Sequence, residues 1–262
     1  MSPRRLALPL ILTVAAMAFL AGTVAPAGER ADAADEANPC TGEHAARLRC
    51  PDLQMGVPAD LYLDSYEGRQ VLRATNNVKS RGTGPVMFRG RRTGRDEMSA
   101  RQHILRKNGS QLVVKTGAEL YWKYIPGQGH YWKFRDAARF ELWSVDDTGH
   151  RQKLVRTGPK VYYCLRDLQR TRPGKRSPRN RVFPGCSQDP SKRQVTLGTS
   201  VGWSDIYPST YHQQWIDVTG LHGCFAYVHR ADPDNHVFES NEGNNDSQRI
   251  IRLPWGSRKK CP

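Results

Sequence analysis

The sequence lacks most of the signals by which common enzyme classes are recognised. It contains no Cys-x-x-Cys and no group of cysteines and histidines with the spacing of a zinc site. We find no glycine-rich phosphate loop, and no serine, histidine and acid in a known catalytic order. No long stretch has a helical period, and no segment repeats. These absences argue against a nucleotide-dependent enzyme, a hydrolase and a helical fold.

Acidic residues are scarce relative to basic ones. The 262 residues include 40 lysines and arginines against 25 acids, a net charge of +15. Two of the basic residues, Arg4 and Arg5, lie in an N-terminal segment that we interpret as a signal, which leaves 38 − 25 = +13. Such a charge indicates anionic partners, which outside a cell are surface polymers, acidic polysaccharides or acidic proteins. No nucleic-acid motif appears, so nucleic acid is not an expected partner.

Two basic runs, at residues 89–95 and 170–181, hold many of these charges. Both are rich in arginine with glycine or proline, and we predict exposed loops for both. Neither contains an aromatic residue, so a stacking platform for single strands is not indicated. They are either solvated loops of a basic protein or a docking surface for an acidic polymer or partner.

Residues 1–27 have the pattern of a secretory signal. The two arginines precede an apolar run at residues 6–20, and residues 25–27 form a small-residue cleavage site. The run is short for a membrane span, and no cysteine follows it closely as a lipid anchor requires. We predict a secreted, extracellular protein without a membrane anchor in the mature chain. Residues 28–57 are predicted as a disordered, then cysteine-bounded lead-in, and residues 58–262 as one domain.

The six cysteines, at positions 40, 50, 164, 186, 224 and 261, all follow the signal. An even number in an exported protein favours three disulfides. The spacing alone does not choose among the pairings. Our working prediction joins neighbours in the chain, 40–50, 164–186 and 224–261.

Short alternating segments begin near residue 59. Lys107-Asn-Gly-Ser110 is a good hairpin turn between two of them. Turn residues separate the predicted strands, which lie at 60–64, 70–75, 86–88, 102–106, 111–115, 118–124, 130–135, 138–144, 152–156, 160–166, 193–197, 224–229 and 247–253. This spacing predicts an all-β, antiparallel β-sandwich with long loops, stapled by disulfides.

Three motifs follow in the C-terminal half. Residues 158–167 read Gly-Pro-Lys-Val-Tyr-Tyr-Cys-Leu-Arg-Asp, and Tyr207 precedes Gln-Trp-Ile-Asp-Val-Thr at 214–219. Residues 231–245 read Ala-Asp-Pro-Asp-Asn-His-Val-Phe-Glu-Ser-Asn-Glu-Gly-Asn-Asn. Their order and spacing resemble the catalytic domain of the lysyl oxidase family, over roughly residues 58–255. The last motif also suits a calcium site, but we prefer side-chain-supported turns between the final strands.

The resemblance implies a copper amine oxidase. That family makes lysine tyrosylquinone from one of its own lysines and one of its own tyrosines, and Lys160 and Tyr207 stand in those positions. The implied reaction is oxidative deamination of peptidyl lysine or another primary amine to an aldehyde, with release of hydrogen peroxide. The cofactor supplies such chemistry and the protein positions it. Asp136 and Asp205 are acids near the motifs, and neither can be assigned as the base.

The copper motif departs from the family pattern. The family has a His-x-His-aromatic-His run in a strand, whereas the corresponding stretch here aligns Gln128, His130 and Lys133. Glutamine is a poor copper ligand, and lysine binds metal only when deprotonated. His130 is the one predicted copper ligand. The other histidines that could contribute are His150, His212, His222, His229 and His236.

Two functions are therefore open. The first is a secreted lysyl oxidase-like amine oxidase. The second is a catalytically inactive lysyl oxidase-like module that binds anionic surface polymers or an acidic protein partner.

Overall fold

The computed structural model describes residues 37–262, which form β-strands and loops. In that range there is no α-helix, and two short 3-10 helices span Ala45–Arg47 and Glu242–Asn244. The predicted signal and the first part of the lead-in lie outside the described residues. The first nine strands are β1 (Leu48–Arg49), β2 (Leu53–Met55), β3 (Ala59–Tyr66), β4 (Arg69–Ser80), β5 (Val86–Arg92), β6 (Glu97–Arg106), β7 (Gln111–Ile125), β8 (Gly129–Arg135) and β9 (Ala138–Val145). The remaining strands are β10 (Arg151–Thr157), β11 (Tyr162–Tyr163), β12 (Gln169–Arg170), β13 (Gln194–Thr199), β14 (Trp203–Tyr207), β15 (Trp215–Asp217), β16 (Gly223–Ala231) and β17 (Asp246–Leu253).

The strands form three antiparallel sheets. The first has the order β11-β8-β7-β6-β5-β13, with β1 beside β6. The second has the order β10-β9-β16-β17. In the third, β12-β14-β4-β15, strands β2 and β3 also pair with β4. The predicted all-β antiparallel class is confirmed.

The third sheet shares buried apolar clusters with both of the others. Val78 of β4 packs in a cluster with Phe88 and Phe134 of the first sheet. Leu72 of the same strand packs in another with Phe140 of the second sheet. Burying each such side chain contributes roughly 1.5–3 kcal/mol, so β4 links the two halves of the core.

Several strand predictions are corrected by the structure. The predicted strands at 111–115 and 118–124 are one strand, β7, which absorbs a register shift opposite β6 where Gly117 adopts φ 76°. Of the strand predicted at 160–166, only Tyr162 and Tyr163 pair. Strands β14 and β15 were not predicted, because each is short and lies between turn-rich segments.

The basic run at 89–95 was predicted as a loop, which is wrong for its first four residues. They belong to β5, where Phe88 and Gly90 are buried and Arg89 and Arg91 are exposed. The glycine that suggested a turn is there for packing, because a Cβ at Gly90 would lie 2.4 Å from Leu120 Cδ1. The other basic run is irregular from residue 171 onward, as predicted.

All three disulfides join the predicted neighbours. They are Cys40–Cys50, Cys164–Cys186 and Cys224–Cys261. The first closes the lead-in, whose strands β1 and β2 pair with β6 and β4. The second ties the lysine motif to the loop before β13.

Candidate functional site

Just before Lys160, the backbone of the lysine motif packs closely against the backbones of β9 and β15. The N–H of Gly158 donates to the carbonyl oxygen of Phe140 at 2.9 Å. A Cβ on Gly158 would lie 2.7 Å from the carbonyl oxygen of Trp215, so only glycine fits there. Two residues later the Lys160 side chain lies inside the domain.

Lys160 is 1% exposed, and aromatic rings surround its amine. Its Nζ donates to the carbonyl oxygen of Tyr162 at 3.3 Å. The same atom lies 4.6 Å from the ring centroid of Tyr207 and 4.8 Å from those of Tyr163 and Tyr211. Burial, with the Lys133 charge nearby, holds the pKa of Lys160 well below its usual value. The environment therefore favours the neutral amine.

Tyr207, at the end of β14, is fixed on both its ring and its hydroxyl. The hydroxyl accepts a hydrogen bond from the backbone N–H of Cys164 at 2.7 Å. Its ring packs edge-on against Tyr163 and Tyr211, with centroids 5.3 Å and 5.2 Å away. Burial and the Asp205 carboxylate raise the pKa of Tyr207, so the phenol keeps its proton. The structure thus brings together the two residues predicted to form a quinone.

Of the two candidate acids, Asp205 belongs to this site. It is fully buried, and its carboxylate lies close enough to the Tyr207 side chain for each group to shift the pKa of the other. Burial raises the pKa of Asp205, an effect that Arg166 and the lysines oppose. Its nearest cation is Arg166, whose Nε is 3.5 Å from Oδ1. Asp136 instead forms an ion pair with Arg135 at 3.1 Å.

A small cavity of about 90 Å³ opens beside Tyr207. Its lining includes Gln128, Tyr131, Lys133, Arg166 and Tyr211. Sequence reasoning singled out Gln128 and Lys133 only as failed metal ligands, and it missed the other three. Arg166 could have been noticed, because it lies inside the lysine motif.

Lys133 is 2% exposed and contributes an amine to this cavity. Its Nζ lies 5.7 Å from the ring centroids of Tyr131 and Tyr211, which also line the cavity. Burial lowers the pKa of Lys133 to about 8, although the Asp205 charge acts in the opposite direction.

His130 does not join this group. Strand alternation along β8 places His130 and Lys133 on opposite faces, since their positions differ by three in a regular register. The His130 side chain is exposed and stacks on Trp122, with ring centroids 5.6 Å apart. Its role as a copper ligand stays a prediction, and this placement gives it no support.

The other five candidate histidines lie apart from one another, and one of them, His212, lies close to the site. His212 is half-buried close to the site, and burial, with Lys160 and Lys133 nearby, lowers its pKa. His229 is buried between Phe140 and Tyr227, and burial lowers its pKa to about 3. His222 is exposed, His150 contacts Thr148, and His236 lies beside Gly117.

The residues at the site do not fit copper. Imidazoles suit that metal, yet the groups around the cavity are two cations, an amide and phenols. Among residues 37–262, the only group of three or more side chains with metal-ligating atoms in mutual reach is acidic and lies elsewhere. An ammonium at Lys133 would also repel a cation.

That acidic group consists of Asp232, Glu239 and Glu242, whose carboxylate oxygens lie within 4.8 Å of one another. Oxygen ligands of this kind suit hard cations. Both carboxylate oxygens of Asp232 also accept backbone N–H groups, from His236 and Val237, each at 2.8 Å. The predicted side-chain-supported turns are therefore present.

The fold and the site define a class: a disulfide-linked, all-β protein that buries a lysine amine against a tyrosine ring. The family model described as lysyl oxidase matches residues 91–254, more than half of the chain, and the chain belongs to the lysyl oxidase family. The match includes Lys133, Lys160 and Tyr207. No curated protein matches the sequence. The family relates the chain to amine oxidases that generally use copper and lysine tyrosylquinone.

Proposed function

We propose that this protein is a secreted lysyl oxidase-family member that does not oxidise amines and binds an anionic extracellular polymer. The observation that carries the proposal is a row of cations across the first sheet. Arg89 of β5 lies directly opposite Arg101 of β6, which lies directly opposite Lys115 of β7. All three are exposed.

Within this row, the directly opposed Arg89 and Arg101 are unfavourable without an anionic ligand. Residues directly opposite in an antiparallel pair have Cα atoms roughly 5 Å apart, and like charges there destabilise the sheet. Arg91 extends the row along β5 on the same face. A linear polyanion that lies across the strands would relieve this repulsion.

Local acids do little to neutralise the arginines of this row. Within the described part of the chain, Arg89, Arg91 and Arg101 appear in no ion pair, and the nearby Glu119 pairs with Arg135 at 3.5 Å. At the sheet edge a groove of about 560 Å³ is lined by Arg91, Arg92 and Arg193. The basic surface therefore continues from the row into a concave edge.

The site chemistry supports the same conclusion, because Gln128 and Lys133, two of the three residues aligned with the family's copper histidines, line a cavity that also holds Arg166. Export is supported by the signal pattern, the three disulfides and the family. In the described residues no helix is long and apolar enough to cross a bilayer. The proposal includes no nucleic-acid partner and no membrane anchor in the mature chain.

Binding of the mature protein to immobilised dextran sulfate, with neutral dextran as the reference, tests this function. Replacing both Arg89 and Arg101 with serine should weaken binding roughly 30-fold, since each cation near an anionic surface contributes about 1 kcal/mol. The matched control replaces Arg176 and Arg179, two exposed arginines of the other basic run, and should change binding much less. Equal losses for both pairs, or binding that resists high salt, would contradict a specific basic row.

The amine oxidase is the second candidate, and one contact favours it. Lys160 Nζ lies 4.6 Å from the Tyr207 ring, a separation from which the two residues could become cross-linked. In that function Lys160 and Tyr207 would be the catalytic residues, copper and lysine tyrosylquinone the cofactors, and His130 a metal ligand. A primary amine or peptidyl lysine would be the substrate. Amine-dependent peroxide release after incubation with copper would support it.

A further inference from the structure

We propose that Lys133 is a reactive amine that forms an imine with small carbonyl compounds bearing a carboxylate, the 2-oxo acids. This inference does not depend on polymer binding, which uses a different set of residues. It rests on the cavity beside Tyr207, on the amine that lines it, and on the charge and size of its lining.

The Lys133 amine is buried but reachable from the cavity. Its side chain is a lining residue, and its Nζ faces Tyr131 and Tyr211, which line the same space. Among the interactions of residues 37–262, Lys133 Nζ makes no hydrogen bond and no ion pair shorter than 4 Å. An ammonium buried without an acceptor is costly, so the site raises the fraction of Lys133 in the neutral, nucleophilic form above that of an exposed lysine.

The electrostatics of the site agree with this geometry. With a pKa of about 8, roughly a tenth of the Lys133 amines are neutral at pH 7, against fewer than about one in a thousand for an ordinary exposed lysine. The groups that face Lys133 are Asp205, Arg166, Lys160 and the tyrosines. Asp205 favours the ammonium, whereas burial and the other cations favour the amine.

The residues that line the cavity favour a carbonyl compound that carries a carboxylate. Arg166 is a cation at the cavity whose nearest acid, Asp205, is 3.5 Å away and not hydrogen-bonded to it, so its guanidinium can bind a carboxylate. The hydroxyl of Tyr211 donates to Gln128 Oε1 at 3.1 Å, which leaves the Gln128 amide N–H groups to donate to a ligand oxygen. A cavity of about 90 Å³ suits a small acid of two or three carbons.

The reaction is a condensation that needs no oxidant. The Lys133 nitrogen adds to the carbonyl carbon, and the carbonyl oxygen takes up protons and leaves as water. A carbon–nitrogen double bond remains. Hydrolysis reverses the reaction, so the adduct accumulates only when it is reduced.

Glyoxylate with sodium cyanoborohydride traps such an adduct as carboxymethyl-lysine. The mature protein is treated at pH 7 under limiting glyoxylate, then digested and mapped by mass. We expect Lys133 to be modified at least tenfold faster than Lys123. The latter is the matched control, because it also lies against tyrosine rings, at 4.5 Å from that of Tyr162, but is only half-buried.

Three comparisons make the result specific. Urea-unfolded protein should lose the preference for Lys133. Acetaldehyde, which has no carboxylate, should show a weaker preference, and Arg166→Gln should remove the difference between the two reagents. Lys133→Met should abolish the fast phase while its urea unfolding midpoint shows that it is folded. Modification of Lys133 no faster than Lys123 in the native protein would overturn the proposal.

Discussion

The lysine pocket and the acidic C-terminal loop both bury ionisable side chains, but they surround them in opposite ways. In the loop, Asp232 accepts two backbone N–H groups, and Glu239 accepts those of Leu53 and the Asn245 side chain. In the pocket, Lys133 is buried against tyrosine rings, and the nearest cation to the buried Asp205 carboxylate is Arg166, at 3.5 Å. Hydrogen-bonded buried charge organises a fold, whereas buried charge without partners is available for chemistry or a ligand.

The largest effect on stability should come from replacing Asp232, a hydrogen-bonded acid of the C-terminal loop. Asp232→Ala leaves the N–H groups of His236 and Val237 without acceptors, and we expect a loss of roughly 2–4 kcal/mol in the free energy of unfolding. Urea unfolding of the mature protein measures it. Asp234→Ala, which removes an exposed carboxylate paired with Arg139, should cost less than about 1 kcal/mol. Similar losses for the two variants would show that the loop is not organised by Asp232.

The two regions should also respond to pH in opposite directions. Burial raises the pKa of Asp232 to about 7, so the folded state holds a proton that the unfolded state releases, and stability should fall by roughly 2 kcal/mol from pH 5 to pH 7. Burial lowers the pKa of Lys133 to about 8, so the folded state releases a proton that the unfolded state keeps, and stability should rise between pH 8 and pH 10.

Unfolding in EDTA across this range separates the two contributions. Asp232→Asn should make the fall between pH 5 and pH 7 shallower, with the raised pKa of Glu239 accounting for the remaining slope. Lys133→Met should make the rise above pH 8 shallower, with the lowered pKa of Lys160 accounting for the remaining slope. A single variant that flattened both limbs would contradict the assignment of one charge to each region.

The smallest change in stability should come from replacing Lys133 with methionine. Methionine keeps the apolar stem and removes an ammonium without a partner, so at pH 7 the variant should be unchanged or stabilised by about 1 kcal/mol. Thermal unfolding measures the change. A clear destabilisation would mean that the ammonium is a structural partner of Asp205.

Much of the fold was readable from the sequence because it depends on local signals. Alternation and turn residues located most strands, and the hairpin at residues 107–110 pairs as predicted. Arg89 was misplaced because a glycine beside an arginine suggests a turn, whereas Gly90 makes room for Leu120 of β7, two strands away in the same sheet. That reason lies in a contact between distant residues.

The site was predicted only in part, because only some of its residues lie in motifs that the sequence itself reveals. Motif order suggested the Lys160 and Tyr207 pair, and the structure places the two side chains together. Arg166 and Tyr211 were missed as pocket residues, and the opposite orientation of His130 and Lys133 was not foreseen. These features follow from strand register and loop packing, which a single sequence does not specify.

Peptide mass mapping of the mature protein after incubation with copper tests the proposal that this protein does not form the quinone. We predict that Lys160 and Tyr207 are recovered unmodified, because the pocket supplies cations where copper ligands are needed. A covalent link between Lys160 and Tyr207 would contradict this claim and establish the chain as a quinone-forming amine oxidase.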